Sequence, residues 1–209
     1  MSFTDRQDAG RQLAEKLRAY RGQAKTIILG LPRGGVVTAA EVAKRLHLPL
    51  DILVPRKLGF PGNEELAIGA VSEDGDPILH DAMITGYNIP SDYLDRELQR
   101  QRAESQRRLK MYRGEREPLD IKGKTAVVID DGVATGATML AALESCRSKG
   151  ADKIITAVPV IAPDTIPQLE EHCDEVIYLD APLSFGAVGN YYTHFPQTSD
   201  EEVIELLQR

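Results

Sequence analysis

Apolar positions along this chain fall into two rhythms, compact β-branched runs and stripes spaced three or four residues apart. Their alternation predicts strand followed by helix over most of its length. Runs at residues 26–31, 50–55, 66–71, 126–129, 154–161 and 175–179 read as strands, with a short further strand at 77–79 after a turn at 72–76. The last long run, 175–179, is expected to be buried. Helical spacing appears at 5–20 (Leu13, Leu17 and Tyr20), at 36–46, at 91–112 (Leu94, Leu98, Leu109 and Tyr112 on one face, Ser91 as N-cap), from Met139 onward, at 163–172 and after Ser199. Such alternation predicts an α/β fold with a doubly wound, mostly parallel sheet, in one domain spanning residues 1–209.

Three stretches depart from these rhythms. Residues 58–65 are rich in Gly and Pro without a period, and read as a mobile loop. Residues 180–197 are irregular and aromatic, with Phe185, Tyr191, Tyr192 and Phe195. The polar face of the 91–112 helix carries Arg96, Arg100, Arg102, Arg107, Arg108 and Lys110 interleaved with Glu97 and Glu104. A mixed-charge face of this kind is read as solvated, with anion binding or a subunit contact left open.

Composition narrows the picture. At 209 residues, with 42% hydrophobic and 27% charged residues, the chain has the make-up of a globular protein with a substantial core. The net charge of −7 argues against broad affinity for nucleic acid or an anionic membrane. Cys146 and Cys173 lack any metal-ligand spacing and are expected to be buried thiols in a reducing cytoplasm. No signal-type apolar core lies in residues 1–25 and no run is long enough to span a membrane, so the expected location is cytoplasmic.

The chemistry concentrates in VVIDDGVATGAT, residues 127–138. A buried strand delivers Asp130 and Asp131 to its carboxyl end. The chain then turns through small residues into a helix whose first N–H groups lack intrahelical partners. With the hydroxyls of Thr135 and Thr138 added, this is a phosphate cradle. Two carboxylates beside it would repel a bare polyphosphate, but would accept hydrogen bonds from a sugar diol or approach Mg²⁺ through its waters. The ligand expected is a sugar phosphate. A second strand-turn-helix unit carries Pro32-Arg33-Gly34-Gly35, where paired glycines admit a ligand to the backbone and Arg33 can meet a phosphate bidentately. Arg56 and Lys57 follow the strand at 50–55.

A hydrophobic strand, an acidic pair and then ATGAT resemble the binding signature for 5-phosphoribosyl 1-diphosphate (PRPP) of the type I phosphoribosyltransferases. The resemblance implies that Asp130 and Asp131 hold the ribose hydroxyls, with Mg²⁺ bound mostly through water. It implies that the backbone of Ala134, Thr135, Gly136, Ala137 and Thr138 holds the 5′-phosphate. Arg33, Gly34 and Gly35 would then form the pyrophosphate loop, with a cis bond between Pro32 and Arg33, and Arg56 or Lys57 would contact the leaving group. In that family a flexible loop closes over PRPP, here placed at 58–65. A hood built from chain-terminal segments, here about 1–24 and 180–209, receives the acceptor base, with Phe185, Tyr191 and Tyr192 as candidate stacking rings; each ring could equally cap the sheet's core.

The resemblance therefore implies an Mg²⁺-dependent transferase, a homodimer by expectation, with Arg33, Asp130, Asp131 and Lys57 as catalytic candidates and a small nitrogenous base as acceptor. Where 6-oxopurine enzymes place an Asp near the base this chain has Ala134, which leaves no general base assigned and the acceptor open. A non-catalytic PRPP-sensing regulator on the same fold is the alternative.

Overall fold

The computed structural model describes residues 2–71 and 77–208, without the side chains of residues 64 and 65; the turn expected at 72–76 lies outside the described residues. The elements follow the expected alternation: α1 (Arg6–Lys16), β1 (Thr26–Gly30), α2 (Gly34–Leu46), β2 (Leu50–Ile52), β3 (Arg56–Phe60), β4 (Asn63–Val71), β5 (Ile78–Leu79), α3 (Asp81–Gly86), α4 (Ser91–Arg113), β6 (Thr125–Ile129), α5 (Ala137–Ser148), β7 (Lys153–Val160), α6 (Ile166–Glu170), β8 (Glu175–Asp180) and α7 (Asp200–Gln208). Short 3₁₀ turns cover 18–20, 163–165 and 188–191.

Five strands form a parallel sheet in the order β2-β1-β6-β7-β8. Successive side chains of a strand point to opposite faces, so the apolar runs feed two cores. Ile27, Leu29, Ala126 and Val128 pack with Met139, Leu140 and Leu143 of α5 on one face. Ile28, Val127 and Ile129 pack with Leu13 and Leu17 near α1, and with Val42 and Leu46 of α2, on the other. The chain winds outward from β1 to β2 and, after α4, from β6 to β7 and β8. The crevice at the carboxyl ends of β1 and β6 is therefore the point where strand order reverses, the usual ligand position in open α/β sheets. The register sets Gly30 beside Ile129, and Leu31 N–H donates to the Ile129 carbonyl at 2.9 Å. This brings the PRGG turn alongside the acidic pair.

Several expectations are corrected. Residues 58–65 are not an irregular loop: β3 and β4 form an antiparallel hairpin whose turn, Pro61 then Gly62 at φ +76°, has the order of a type II turn. A register shift at Gly59 breaks the alternation, which is why the strands lacked a visible period. With β5 the hairpin makes a separate three-stranded sheet, closed over Leu58, Ile68 and Val71 by Ile89, Tyr93, Leu94 and Leu98 from and beside α4. Helix α3 has no counterpart among the expected elements. Pro90, not Ser91, occupies the N-cap of α4, and the helix expected at 163–172 is a 3₁₀ turn followed by five α residues. The sheet-edge strand β8 is half-exposed rather than buried. Cys146 is a buried cysteine, whereas Cys173 is only half-buried, its Sγ donating to the Leu169 carbonyl. Among the described residues, no helix is long and apolar enough to cross a membrane.

One tie fixes α4 to the sheet. Asp51, 1% exposed inside β2, accepts from Nε and Nη2 of Arg113 at 3.0 and 3.2 Å and from the backbone N–H of Leu119 at 2.9 Å. Removing one partner of a buried ion pair leaves an uncompensated charge, at a cost of about 3–5 kcal/mol. Arg113→Ala is therefore expected to lower Tm by roughly 10 °C at this chain length, measured by thermal denaturation; a shift under about 2 °C would remove this pair from the account of the fold.

Candidate active site

The acidic pair sits where β6 ends, pressed against the turn that connects β1 to α2. A Cβ on Gly34 would come within 2.0 Å of Asp131 Oδ2, and one on Gly35 within 2.8 Å of Asp130 Cα and 3.0 Å of the Ile129 carbonyl. The glycines of PRGG are thus demanded by the packing of the carboxylates beneath them, as well as by any ligand above. The Pro32–Arg33 peptide is cis, as the resemblance implied.

The two carboxylates are held differently. Asp130 Oδ1 accepts from the Asp131 N–H at 2.8 Å. Burial pushes its carboxyl well above the usual carboxylate range, and the neighbouring charge of Asp131 pushes it further. Asp131 Oδ2 accepts from Arg6 Nε at 2.6 Å, while Arg6 Nη1 donates to the Pro196 carbonyl at 2.7 Å and the guanidinium lies 3.7 Å over the Phe195 ring. The Asp131 carbonyl in turn accepts from the Tyr192 hydroxyl at 2.5 Å. Burial followed by the Asp131 charge raises the Tyr192 phenol, keeping it a donor.

Beyond the pair, Gly132 fits against Val160 and Val188, where a Cβ would come within 2.9 and 2.6 Å of their methyls. Val133 bridges to β7, donating to the Val160 carbonyl and accepting from Ala162 N–H. Gly136, at φ +77°, then turns the chain into α5. Among the described residues no side chain caps the amino end of α5 or of α2. Two uncapped helix starts therefore meet at the crevice, and their first N–H groups and positive dipole ends favour an anion there.

Two adjoining cavities line the crevice. One, of about 140 Å³, is bounded by Lys57, Asp130, Val133 to Gly136, Thr138 and Val188. The other, of about 360 Å³, is bounded by Pro32, Arg56, Lys57, Glu97, Arg100 and Thr138. The structure thus brings together Asp130, Asp131, the turn at 134–138, Gly34, Gly35, Arg56 and Lys57. Arg33 stands apart: its Nη1 lies 3.8 Å from Asp200 Oδ1 at the start of α7, and it lines neither cavity. Of the aromatic candidates, Phe185 and Tyr191 are half-buried and stack on each other at 5.3 Å. Tyr192 is turned inward against Phe3 and Phe195, serving the core and the acidic pair.

The model of a family described as a phosphoribosyl transferase domain matches residues 3–192. The chain belongs to the phosphoribosyltransferase family. A Mycobacterium tuberculosis protein, named provisionally as a phosphoribosyl transferase, is 47% identical over 207 residues, 99% of this chain and 46% of its own length. The chain spans about half the length of the curated relatives it matches most fully. The crystal structure of TT1426 from Thermus thermophilus is 43% identical with a TM-score of 0.85, covering 99% of this chain and 98% of that one. A uracil phosphoribosyltransferase of a Nocardioides species is 36% identical over 70 residues, 34% of this chain and 32% of its own.

Sequence reasoning missed Arg6, the cation that the fold sets against Asp131 from 125 positions away. In the sequence it is one more polar residue at the start of an amphipathic helix, and periodicity carries no trace of its partner. The acidic pair generates a testable consequence. A carboxyl raised by folding contributes stability below the ordinary carboxylate range, and that contribution is lost as pH rises through the raised value. Asp130→Asn removes the buried charge while keeping an oxygen for the Asp131 N–H. The unliganded variant is therefore expected to melt higher than the wild type, with a Tm difference that widens as pH rises from about 4 toward neutrality; a difference independent of pH would overturn this reading.

Proposed function

We propose that this protein transfers a 5-phosphoribosyl group from PRPP to a nitrogen of a small base, releasing pyrophosphate. The observation that supports this is the meeting, at one strand crossover, of an acidic pair, two uncapped helix amino ends and the cations of the β3–β4 hairpin. In this reading the first N–H groups of α5, with Thr135 and Thr138, hold the 5′-phosphate in the smaller cavity. Asp130 and Asp131 accept from the ribose hydroxyls, and the hydrogen bond from Arg6 Nε holds the Asp131 carboxylate in place. The pyrophosphate lies in the larger cavity against Arg56 and Lys57, and Arg33 exchanges Asp200 for it.

As the bond from the anomeric carbon to pyrophosphate breaks, negative charge grows on the leaving group and positive charge on the ribose ring. The cations answer the first, and the fixed carboxylates the second. Asp130 and Asp131 offer hard oxygen ligands that suit Mg²⁺ retaining most of its coordination to water and substrate. When bound, that ion supplies charge neutralisation on the phosphate oxygens. Closure of the hairpin would exclude water from the reactive sugar. Phe185 and Tyr191 are the rings proposed for the acceptor, which Ala134 leaves without an adjacent carboxylate.

The test incubates the protein with PRPP, Mg²⁺ and a panel of purines, pyrimidines and other nitrogen heterocycles, following pyrophosphate release and the mass of any nucleotide formed. Arg33→Ala is expected to lower kcat by roughly 100-fold while changing PRPP affinity by only a few-fold, since its partner gains charge during the reaction. PRPP binding without turnover across the panel would make the protein a sensor, and acceptor-independent release would make it a hydrolase.

A further inference from the structure

Helix α4 lies outside the strand-turn-helix units that build the crevice, and the interleaved charges of its polar face read as solvent-facing. The structure divides that face in two. Glu97, Gln101 and Ser105, spaced four residues apart, are buried at 6, 7 and 0% exposure and point at the strand and hairpin that border the larger cavity. Ser105 Oγ donates to the Val54 carbonyl, and Tyr93 from the same helix donates to the Gly59 carbonyl at 2.8 Å.

Glu97 is the centre of this seam. Its two oxygens accept from Arg100 Nε and Nη2 at 2.8 and 2.9 Å, and Oε1 also accepts from Gln101 Nε2 at 2.9 Å. The Gly59 N–H lies 3.5 Å from the same oxygen. Gln101 Oε1, its other end, accepts from Arg56 Nε at 3.0 Å. Burial works against the Glu97 charge, but the hydrogen bonds from Arg100 and Gln101 outweigh it and hold the carboxyl below its usual range. One buried carboxylate thus fixes Arg100 directly and Arg56 through an amide, and both arginines line the 360 Å³ cavity beside Lys57. Burial, followed by the like charge of Arg108, makes Arg56 a weaker base than a free arginine. An anion in the cavity would relieve that crowding.

Resting on the transferase reading above, we infer that α4 forms one wall of the leaving-group pocket: Arg100 is a further pyrophosphate-binding residue, and Glu97 with Gln101 are positioning residues that pre-set Arg100 and Arg56. The physical reason is entropy as well as charge. A guanidinium already clamped by a buried carboxylate loses little side-chain freedom when it meets a phosphate. The hairpin and α4 then act as one body, because Glu97 and Tyr93 both bind the backbone at Gly59.

The test measures binding of ribose 5-phosphate, pyrophosphate and PRPP by calorimetry, with Tm, for the wild type, Arg100→Gln, Glu97→Gln and Gln101→Leu. Ribose 5-phosphate reports on the cradle and diol clamp alone. Arg100→Gln is expected to weaken pyrophosphate and PRPP by about tenfold, the loss of a charged hydrogen bond. Ribose 5-phosphate should stay within about twofold. Glu97→Gln and Gln101→Leu should show the same split, smaller in size. Unchanged pyrophosphate affinity in Arg100→Gln, with ribose 5-phosphate still bound, would overturn this inference and leave the transferase reading standing. Equal losses for all three ligands together with a large fall in Tm would make α4 a structural support and overturn it too. Wild-type protein that binds neither ribose 5-phosphate nor PRPP would instead remove the reading on which the inference rests.

Discussion

The parallel pairing of β1 with β6 is the constraint on which the rest of this structure depends. These strands meet in the middle of the sheet, and their register sets Gly30 beside Ile129. The residues just past the end of each strand must then share the same few ångströms of space. After β1 the chain makes a turn with two glycines, and after β6 it carries a pair of carboxylates. The absence of side chains on Gly34 and Gly35 is what allows Asp130 and Asp131 to lie beneath that turn. The crevice carries like charges pressed together because the backbone pairing puts them there.

Holding such a pair costs free energy, and the surrounding elements offset it from several directions. Two helix amino ends bring partial positive charge. Arg6 reaches in from α1, and its other contacts, the Pro196 carbonyl and the Phe195 ring, belong to the segment between β8 and α7. Tyr192 from that segment donates to the Asp131 backbone, and Phe3 pairs with it. The two ends of the described chain are therefore stitched together over the acidic pair. Substitution of Arg6 should be felt at the carboxylates, because its Nε is paired with Asp131 Oδ2.

On the opposite side of the crevice the logic is reversed, with clustered cations offset by buried acids. Arg56 and Lys57 stand on the first strand of the hairpin, and Glu97 on α4 holds Arg100 and, through Gln101, Arg56. The ion pair of Arg113 with Asp51 anchors the far end of the same helix to β2. A 23-residue helix is thus pinned at one end to the sheet and near the other to the hairpin.

The sequence by itself determined the parts of this protein that are local. The β-branched run ending in Asp130 and Asp131, the small residues from Gly132 to Gly136 and the helical spacing after Thr138 each write their structure into neighbouring positions. The α/β class, the small-residue turn that opens onto α5 and the PRGG turn are therefore legible in the chain alone. The family resemblance rests on the same motif. The tertiary structure decided whatever depends on residues far apart in the chain. Residues 58–65 pair as a hairpin because strand pairing answers to a partner strand, and the register shift at Gly59 hides the alternation that would announce it. Glu97 lies buried on a face that looks solvent-exposed, since charge spacing along a helix records which residues share a side but says nothing about what covers that side. Arg6 meets Asp131, and Arg33 leans toward Asp200, for the same reason: an ion pair needs only proximity in space, and no periodicity in the chain encodes it.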